Sequence, residues 1–285
     1  MAAIENIKID KIIDVALSAG KAILEIYNSN DFEVEIKSDN SPLTKADKRA
    51  HQIIKEELLS LHPAIPIFSE EGKEIPYKER KSWEGFWLVD PLDGTKEFIK
   101  KNGEFTVNIA LIENNKPTLG IIYAPAFENE NDEITSELSV SDGNYTNSQI
   151  KNPKQFPGTL YYAQNELGTY KQTGGKDPIK LTPQINRKGK IVAVKSRSHS
   201  SEEEENVLKK YNVSDSVSVG SSLKFCMIAE GIAQVYYRHG PTNEWDVAAG
   251  YAIAKYAGAE VEGLSFNKEN LLNDSFILKS FPKGK

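Results

Sequence analysis

The stretch that most constrains this chain is Phe86-Trp87-Leu88-Val89-Asp90-Pro91-Leu92-Asp93-Gly94-Thr95. Phe86 to Val89 is a short apolar run of the kind that forms a buried strand. It ends in two carboxylates three residues apart, with Pro91 fixing φ between them and Gly94 opening a backbone course closed to other residues. Taken alone, Asp-Pro-Leu-Asp-Gly reads as a surface turn, because Asp, Pro and Gly all favour turns. The buried strand before it, and Thr95 with a helix start after it, favour another use. A strand that ends in acids and then turns into a helix offers oxygen ligands beside free N–H donors. Hard divalent cations take the first and phosphate takes the second. That combination points to metal-assisted phosphoester chemistry.

The rest of the chain sets bounds. Its 285 residues suit one large domain or two lobes sharing a core. A formal charge of −6 argues against nucleic-acid binding. It does not exclude a small acidic substrate, since a metal cluster supplies local positive charge. Cys226 is the only cysteine, so no intramolecular disulfide forms and a reducing compartment fits. Its neighbours, Phe225, Met227, Ile228 and Ala229, make it a small buried hydrophobe. Met1 to Tyr27 scatters Lys, Glu and Asp among its apolar residues, which fits neither a signal peptide nor a membrane span. The expected location is the cytoplasm.

Ile12, Ile13, Ala16, Ala19, Ile23, Ile26 and Tyr27 recur at helical spacing and predict an amphipathic first helix over 9–27. Phe32 to Lys37 alternates with period two, as a half-exposed strand does. Thr44 caps a second helix running to Leu61, with Asp47 at its N3 position. Asp47 therefore reads equally as a capping acid and as an acid near a metal. Ile65 to Phe68 is a short strand leading into Ser69-Glu70-Glu71-Gly72; alone, Glu-Glu-Gly is a solvated turn. Residues 104–112 with 118–123, and 160–163 with 168–171, read as hairpins. The polar segment 128–157 has no period and reads as a surface excursion. From Ile191 strands and helices alternate, the rhythm of an α/β lobe. The acidic run Glu202 to Glu205 reads as a solvated helix start. Asp246 sits in the first turn of the last helix, where an acid complements the dipole; the same logic lets it point at a cation held by other acids.

Glu70-Glu71, Asp90-Pro91-Leu92-Asp93-Gly94-Thr95 and Trp245-Asp246-Val247-Ala248-Ala249-Gly250 follow one another in the order and context of the inositol monophosphatase superfamily. The chain resembles that superfamily over nearly its whole length. Within it, Gly220-Ser221-Ser222-Leu223-Lys224-Phe225, Gly240-Pro241-Thr242-Asn243-Glu244-Trp245 and Ser196-Arg197-Ser198-His199 are similar to the 3′(2′),5′-bisphosphate nucleotidase branch. The resemblance implies an α/β fold, a layered α-β-α-β-α sandwich of the inositol monophosphatase and fructose-1,6-bisphosphatase (sugar phosphatase) type. An N-terminal lobe, 1–155, is expected to carry most metal ligands. A C-terminal lobe, 156–285, is expected to carry the substrate groups and Asp246.

By the same resemblance, two or three Mg²⁺ ions are expected in each active site. Glu70, Asp90 and the backbone carbonyl of Leu92 would hold one; Asp90, Asp93 and Asp246 would hold the second. Thr95 with Asp47 would orient a metal-activated water and accept its proton, Glu70 sharing this work. The N–H groups of Gly94 and Thr95 would steady the phosphoryl oxygens. Ser221, Ser222 and Lys224 mark an anion site. Ser196, Arg197, Ser198 and His199 are expected at the second phosphate, Arg238 at either that phosphate or the base, and Asp246 beside the substrate. The implied activity is Mg²⁺-dependent, Li⁺-sensitive removal of the 3′-phosphate of adenosine 3′,5′-bisphosphate to leave AMP, in sulfur metabolism. The expected partner is thus a small phosphorylated nucleotide. The alternatives are an inositol or sugar monophosphatase of the same fold, and a catalytically silent Mg²⁺- and nucleotide-binding regulator. Against the last stands the complete acid set together with Thr95.

Overall fold

Alternate residues of the apolar run face opposite ways, Trp87 and Val89 into one core, Phe86 and Leu88 into a second. A strand buried on both faces has no polar side to alternate with, so it reads as an unbroken hydrophobic run. The structure, a computed structural model, describes residues 7–29, 31–37, 41–127, 156–182, 190–197 and 201–281. Most of the expected 128–157 excursion, with Ser198 and His199, lies outside them.

Two helices, α1 (Ile9–Ser29) and α2 (Lys45–Leu61), form the first layer. Ile12, Ala16, Ala19 and Ile23 of α1 are buried with Ala46, Ala50, Ile54 and Leu58 of α2, as their i, i+4 spacing requires. Between the helices lies a small hairpin, β1 (Glu35–Ile36) with β2 (Pro42–Leu43). The longer strand expected over 32–37 shrinks to the two exposed residues of β1, whose sheet has only β2 as a second member. Alternation alone does not make a strand when no larger sheet accepts it.

The second layer is a seven-stranded sheet in chain order: β3 (Ile67–Ser69), β4 (Gly85–Asp93), β5 (Thr106–Glu113), β6 (Lys116–Ala124), β7 (Thr159–Gln164), β8 (Gly168–Thr173) and β9 (Ile179–Leu181). Only β3 and β4 are parallel. A short helix, α3 (Tyr77–Arg80), joins those two, and another, α4 (Thr95–Ile99), follows β4. At the β5–β6 turn Asn114 and Asn115 take φ of 50° and 60°, the left-handed pair of a tight hairpin. The sheet runs on through β7 to β9, past residue 155, where the lobe junction is expected.

Its other face packs on α6 (Leu223–Ala229) and α7 (Glu244–Ala257), which lie against a second sheet. That sheet has the order β11 (Val213–Val219), β10 (Ile191–Ser196), β12 (Val235–Arg238), β16 (Phe276–Lys279), β14 (Glu260–Glu262). A small pair, β13 (Thr242–Asn243) with β15 (Leu272–Asn273), stands just before α7. The outer face of the second sheet is covered by α5 (Glu202–Lys209), whose Leu208 meets Ala193 and Val235. Wedged between two sheets, α7 is rich in Ala and apolar on most of its circumference. Gly250 lets it press on α6: a Cβ there would stand 2.4 Å from the Phe225 ring. The layers run α-β-α-β-α, the sandwich expected from the sequence. Among the described residues, no helix is long and apolar enough to cross a membrane.

Candidate active site

The register of β4 against β5 slips by one residue between Asp90 and Asp93, which pair with Asn108 and Thr106. In a regular strand two residues three apart face opposite sides; the extra residue of a bulge brings both acids to one side. Gly94 then turns the chain at φ +90°, where a Cβ would come within 3.0 Å of the Glu104 carbonyl. A cavity of about 320 Å³ opens at this corner, lined by Glu70, Asp90, Leu92, Asp93, Gly94, Thr95 and Asp246 among others. Four acids called from the sequence thus line one cavity, Asp90 and Asp93 from β4, Glu70 from just after β3 and Asp246 from α7, with Asp47 bonded to Thr95 beside it.

Each acid has a partner. Asp90 Oδ1 accepts the N–H of Leu92 at 3.1 Å. Asp93 Oδ2 accepts from Ser221 Oγ at 2.6 Å and from the N–H of Ser222 at 2.7 Å. Asp246 Oδ2 accepts the N–H of Asn243 at 2.8 Å, closing a capping box at the start of α7. Glu70 takes Lys37 Nζ at 2.8 Å, and Lys37 also bonds Glu71. Burial, and then the negative charge of its neighbours, pushes the Asp90 and Asp246 carboxyls well above the usual range. Burial also raises Glu70, against the pull of Lys37, and Asp93, against Ser221 and Lys224. Among the described residues, no three His, Cys, Asp or Glu side chains stand as placed at metal-holding distance from one another. The donor chemistry of the cavity, four buried or half-buried carboxylates of which Glu70 and Asp93 raise both Asp90 and Asp246, is nonetheless that of a hard-cation site.

Asp47 caps α2 and also reaches Thr95 at the cavity. Its Oδ2 accepts the N–H and the hydroxyl of Thr44 at 2.7 and 2.6 Å, the capping box of α2. Its Oδ1 faces Thr95 Oγ1 at 3.1 Å. Thr95 Oγ1 also lies 3.3 Å from the Leu92 carbonyl. Burial raises the Asp47 carboxyl, partly offset by Thr44.

Basic groups share the cavity with the acids. Lys224 is 8% exposed, its Nζ donating to the Ser221 carbonyl at 2.5 Å and standing over the Tyr236 ring. Burial lowers its pKa, against the charge of Asp93. Lys224, Arg238, Ser196 and Ser221 line the cavity. Ser222 is buried beneath it, bonded to Asn108 and Thr106. Arg197 is turned to Glu104, which it grips with Nε and Nη2 at 2.6 Å each. The sequence reading missed several lining groups, Lys96, Tyr236, Thr242 and Asn243, and the supporting Thr106 and Asn108. A signal for the last two exists: polar residues alternating inside an apolar strand.

Residues 6–284 match the inositol monophosphatase family. The chain belongs to that family. Among its relatives, the 3′(2′),5′-bisphosphate nucleotidase CysQ of Escherichia coli (strain K12) is 40% identical over 275 residues, 94% of this chain and 98% of that protein. The protein of the same name from Buchnera aphidicola is 42% identical, over 96% of this family member and 92% of its own length. The crystal structure of CysQ from Bacteroides thetaiotaomicron, a bacterial member of the inositol monophosphatase family, aligns with a TM-score of 0.74 at 40% identity, covering 96% of this chain and 97% of that one.

Proposed function

We propose that this inositol monophosphatase family member is a divalent-metal-dependent 3′(2′),5′-bisphosphate nucleotidase that cleaves the 3′-phosphate of adenosine 3′,5′-bisphosphate to leave AMP and phosphate. The observation that carries this reading is a single cavity lined by four carboxylates together with Lys224 and Arg238. The substrate follows the name of relatives about 40% identical over nearly the full chain.

Glu70, Asp90, the Leu92 carbonyl, Asp93 and Asp246 would hold two or three Mg²⁺ ions. When bound, Mg²⁺ supplies Lewis-acid charge that polarises the phosphoryl group and makes water more acidic. The remaining work falls to the chain. Thr95 Oγ1, donating to Asp47, turns its lone pairs to a water in the cavity, and Asp47 takes up the proton through that hydroxyl. Lys224 and Arg238 offset the charge of a second phosphate, and Ser196 offers it a hydroxyl. The test is phosphate release from adenosine 3′,5′-bisphosphate and from inositol 1-phosphate, with Mg²⁺ and with chelator. Mg²⁺-dependent turnover of the nucleotide is expected. Fast inositol phosphate hydrolysis with none of the nucleotide would make the chain a monophosphatase of the same family, and no release from either would favour a binding protein.

A further inference from the structure

Four consecutive glutamates open α5, and the sequence alone makes them a solvated face. Glu202 and Glu203 are exposed, but Glu204 is 4% exposed. Its Oε1 lies 3.4 Å from Nη1 of Arg238 and accepts the N–H of His239 at 3.2 Å. The side chains of this ion pair are 5% and 15% exposed, so water screens them little. Ser201 Oγ accepts the N–H of Glu204 at 3.2 Å, which fixes the start of the helix that carries it. One carboxylate therefore touches both the side chain of Arg238, at the end of β12, and the main chain just after it.

An acid so near an anion site is unfavourable for anion binding by charge alone, so its use must lie elsewhere. A free arginine side chain samples many rotamers, and a buried partner removes most of that freedom in advance of ligand binding. Its guanidinium has five donors, so a bond to Glu204 leaves others for further acceptors.

We infer that Glu204 is a positioning residue that sets the direction of Arg238 and so determines preference for substrates with a second phosphate. This rests on the nucleotidase reading, in which Arg238 meets that phosphate. Glu204 acts through Arg238 and touches no substrate itself.

The test compares wild type, Glu204→Ala, Glu204→Gln, Arg238→Ala and the double variant Glu204→Ala with Arg238→Ala. Each is assayed on adenosine 3′,5′-bisphosphate and on adenosine 3′-monophosphate, with thermal unfolding as a check on folding. Glu204→Ala should raise KM for the bisphosphate roughly tenfold, the scale of one charge-assisted hydrogen bond. Its kcat, and KM for the monophosphate, should stay near wild type. Glu204→Gln keeps an acceptor oxygen without the charge and should restore most of the loss. In the Arg238→Ala background, removing Glu204 should add nothing. The inference is overturned if Glu204→Gln binds the bisphosphate more tightly than wild type, which is pure charge repulsion, or if Glu204→Ala changes both substrates alike or adds its full effect to Arg238→Ala. Wild-type turnover of the bisphosphate with KM unmoved in Glu204→Ala overturns this inference alone. Wild type inert toward the bisphosphate overturns the nucleotidase reading and this inference with it.

Discussion

The acidic and the basic groups of the cavity are held in different ways. The acids sit on backbone features of their own, Asp90 and Asp93 at the β4 bulge, Asp47 and Asp246 at the N3 positions of α2 and α7, Glu70 at the end of β3, although Asp93 and Glu70 also take bonds from the distant Ser221, Ser222 and Lys37. The basic groups are held less uniformly: Lys224 bonds the Ser221 carbonyl three residues away, but the two arginines are held by side chains from far along the sequence. Glu104 turns Arg197 from 93 residues away, and Glu204 holds Arg238 from 34. The acids are thus placed chiefly by backbone geometry, while Arg238 depends on a tertiary contact that can change without disturbing the turn that carries the chemistry. Catalysis should fail when the acids are altered; substrate preference should drift when that contact is.

The sharpest break is Asp93→Asn. It removes one charge from the acid set while leaving an acceptor for Ser221 and Ser222. Turnover should fall roughly a thousandfold or more, with far-UV circular dichroism unchanged. Lys171→Met acts on the scaffold beneath the basic groups. Lys171 Nζ meets Glu230 at 2.7 Å with side chains 5% and 2% exposed, and Tyr161 donates to the same carboxylate. Glu230 caps the far end of α6, so the variant leaves a buried charge there poorly compensated. It should lose about 3 kcal/mol in denaturant unfolding, with kcat changed far less.

Thr95→Ala separates proton handling from cation holding. It should lower kcat about a hundredfold, with KM and Mg²⁺ dependence near wild type in steady-state assays. The smallest effect is thermal. Asp90 and Asp246 have pKa values raised by burial and mutual charge, so the folded protein holds protons that the unfolded chain releases. Their contribution is therefore most favourable below the ordinary carboxylate range, near pH 4, and is lost as pH rises through the raised values. A cation that binds the ionised acids reverses that loss. Saturating Mg²⁺ should raise the melting temperature by roughly 5 °C at pH 8, and by progressively less as the pH falls and protons compete. A shift independent of pH would place the ion elsewhere.

This division also explains what the sequence could tell. The buried strand, the capping box at Thr44 and Asp47, the tight turn at Asn114 and Asn115, and the first-turn acid Asp246 are local patterns whose physics is complete within a few residues. They are legible in the sequence, whereas the layer order is implied by the resemblance to the inositol monophosphatase superfamily and not by these patterns. The partners of the two arginines are not legible. Nothing near Arg197 marks Glu104 as its partner, and nothing in a run of four glutamates marks Glu204 as the one turned inward. The six-residue alternation at 32–37 misled for a related reason: a strand also needs a neighbouring sheet, and its sequence carries no record of one.

The most direct measurement sets one acidic and one basic residue of the cavity against two substrates. Steady-state kinetics of Asp246→Asn and Arg238→Ala would be compared on adenosine 3′,5′-bisphosphate and adenosine 3′-monophosphate. The predicted result is a large fall in kcat on both substrates for Asp246→Asn, and a rise in KM confined to the bisphosphate for Arg238→Ala. Equal losses on both substrates from both variants would contradict a cavity with acids for chemistry and basic groups for recognition.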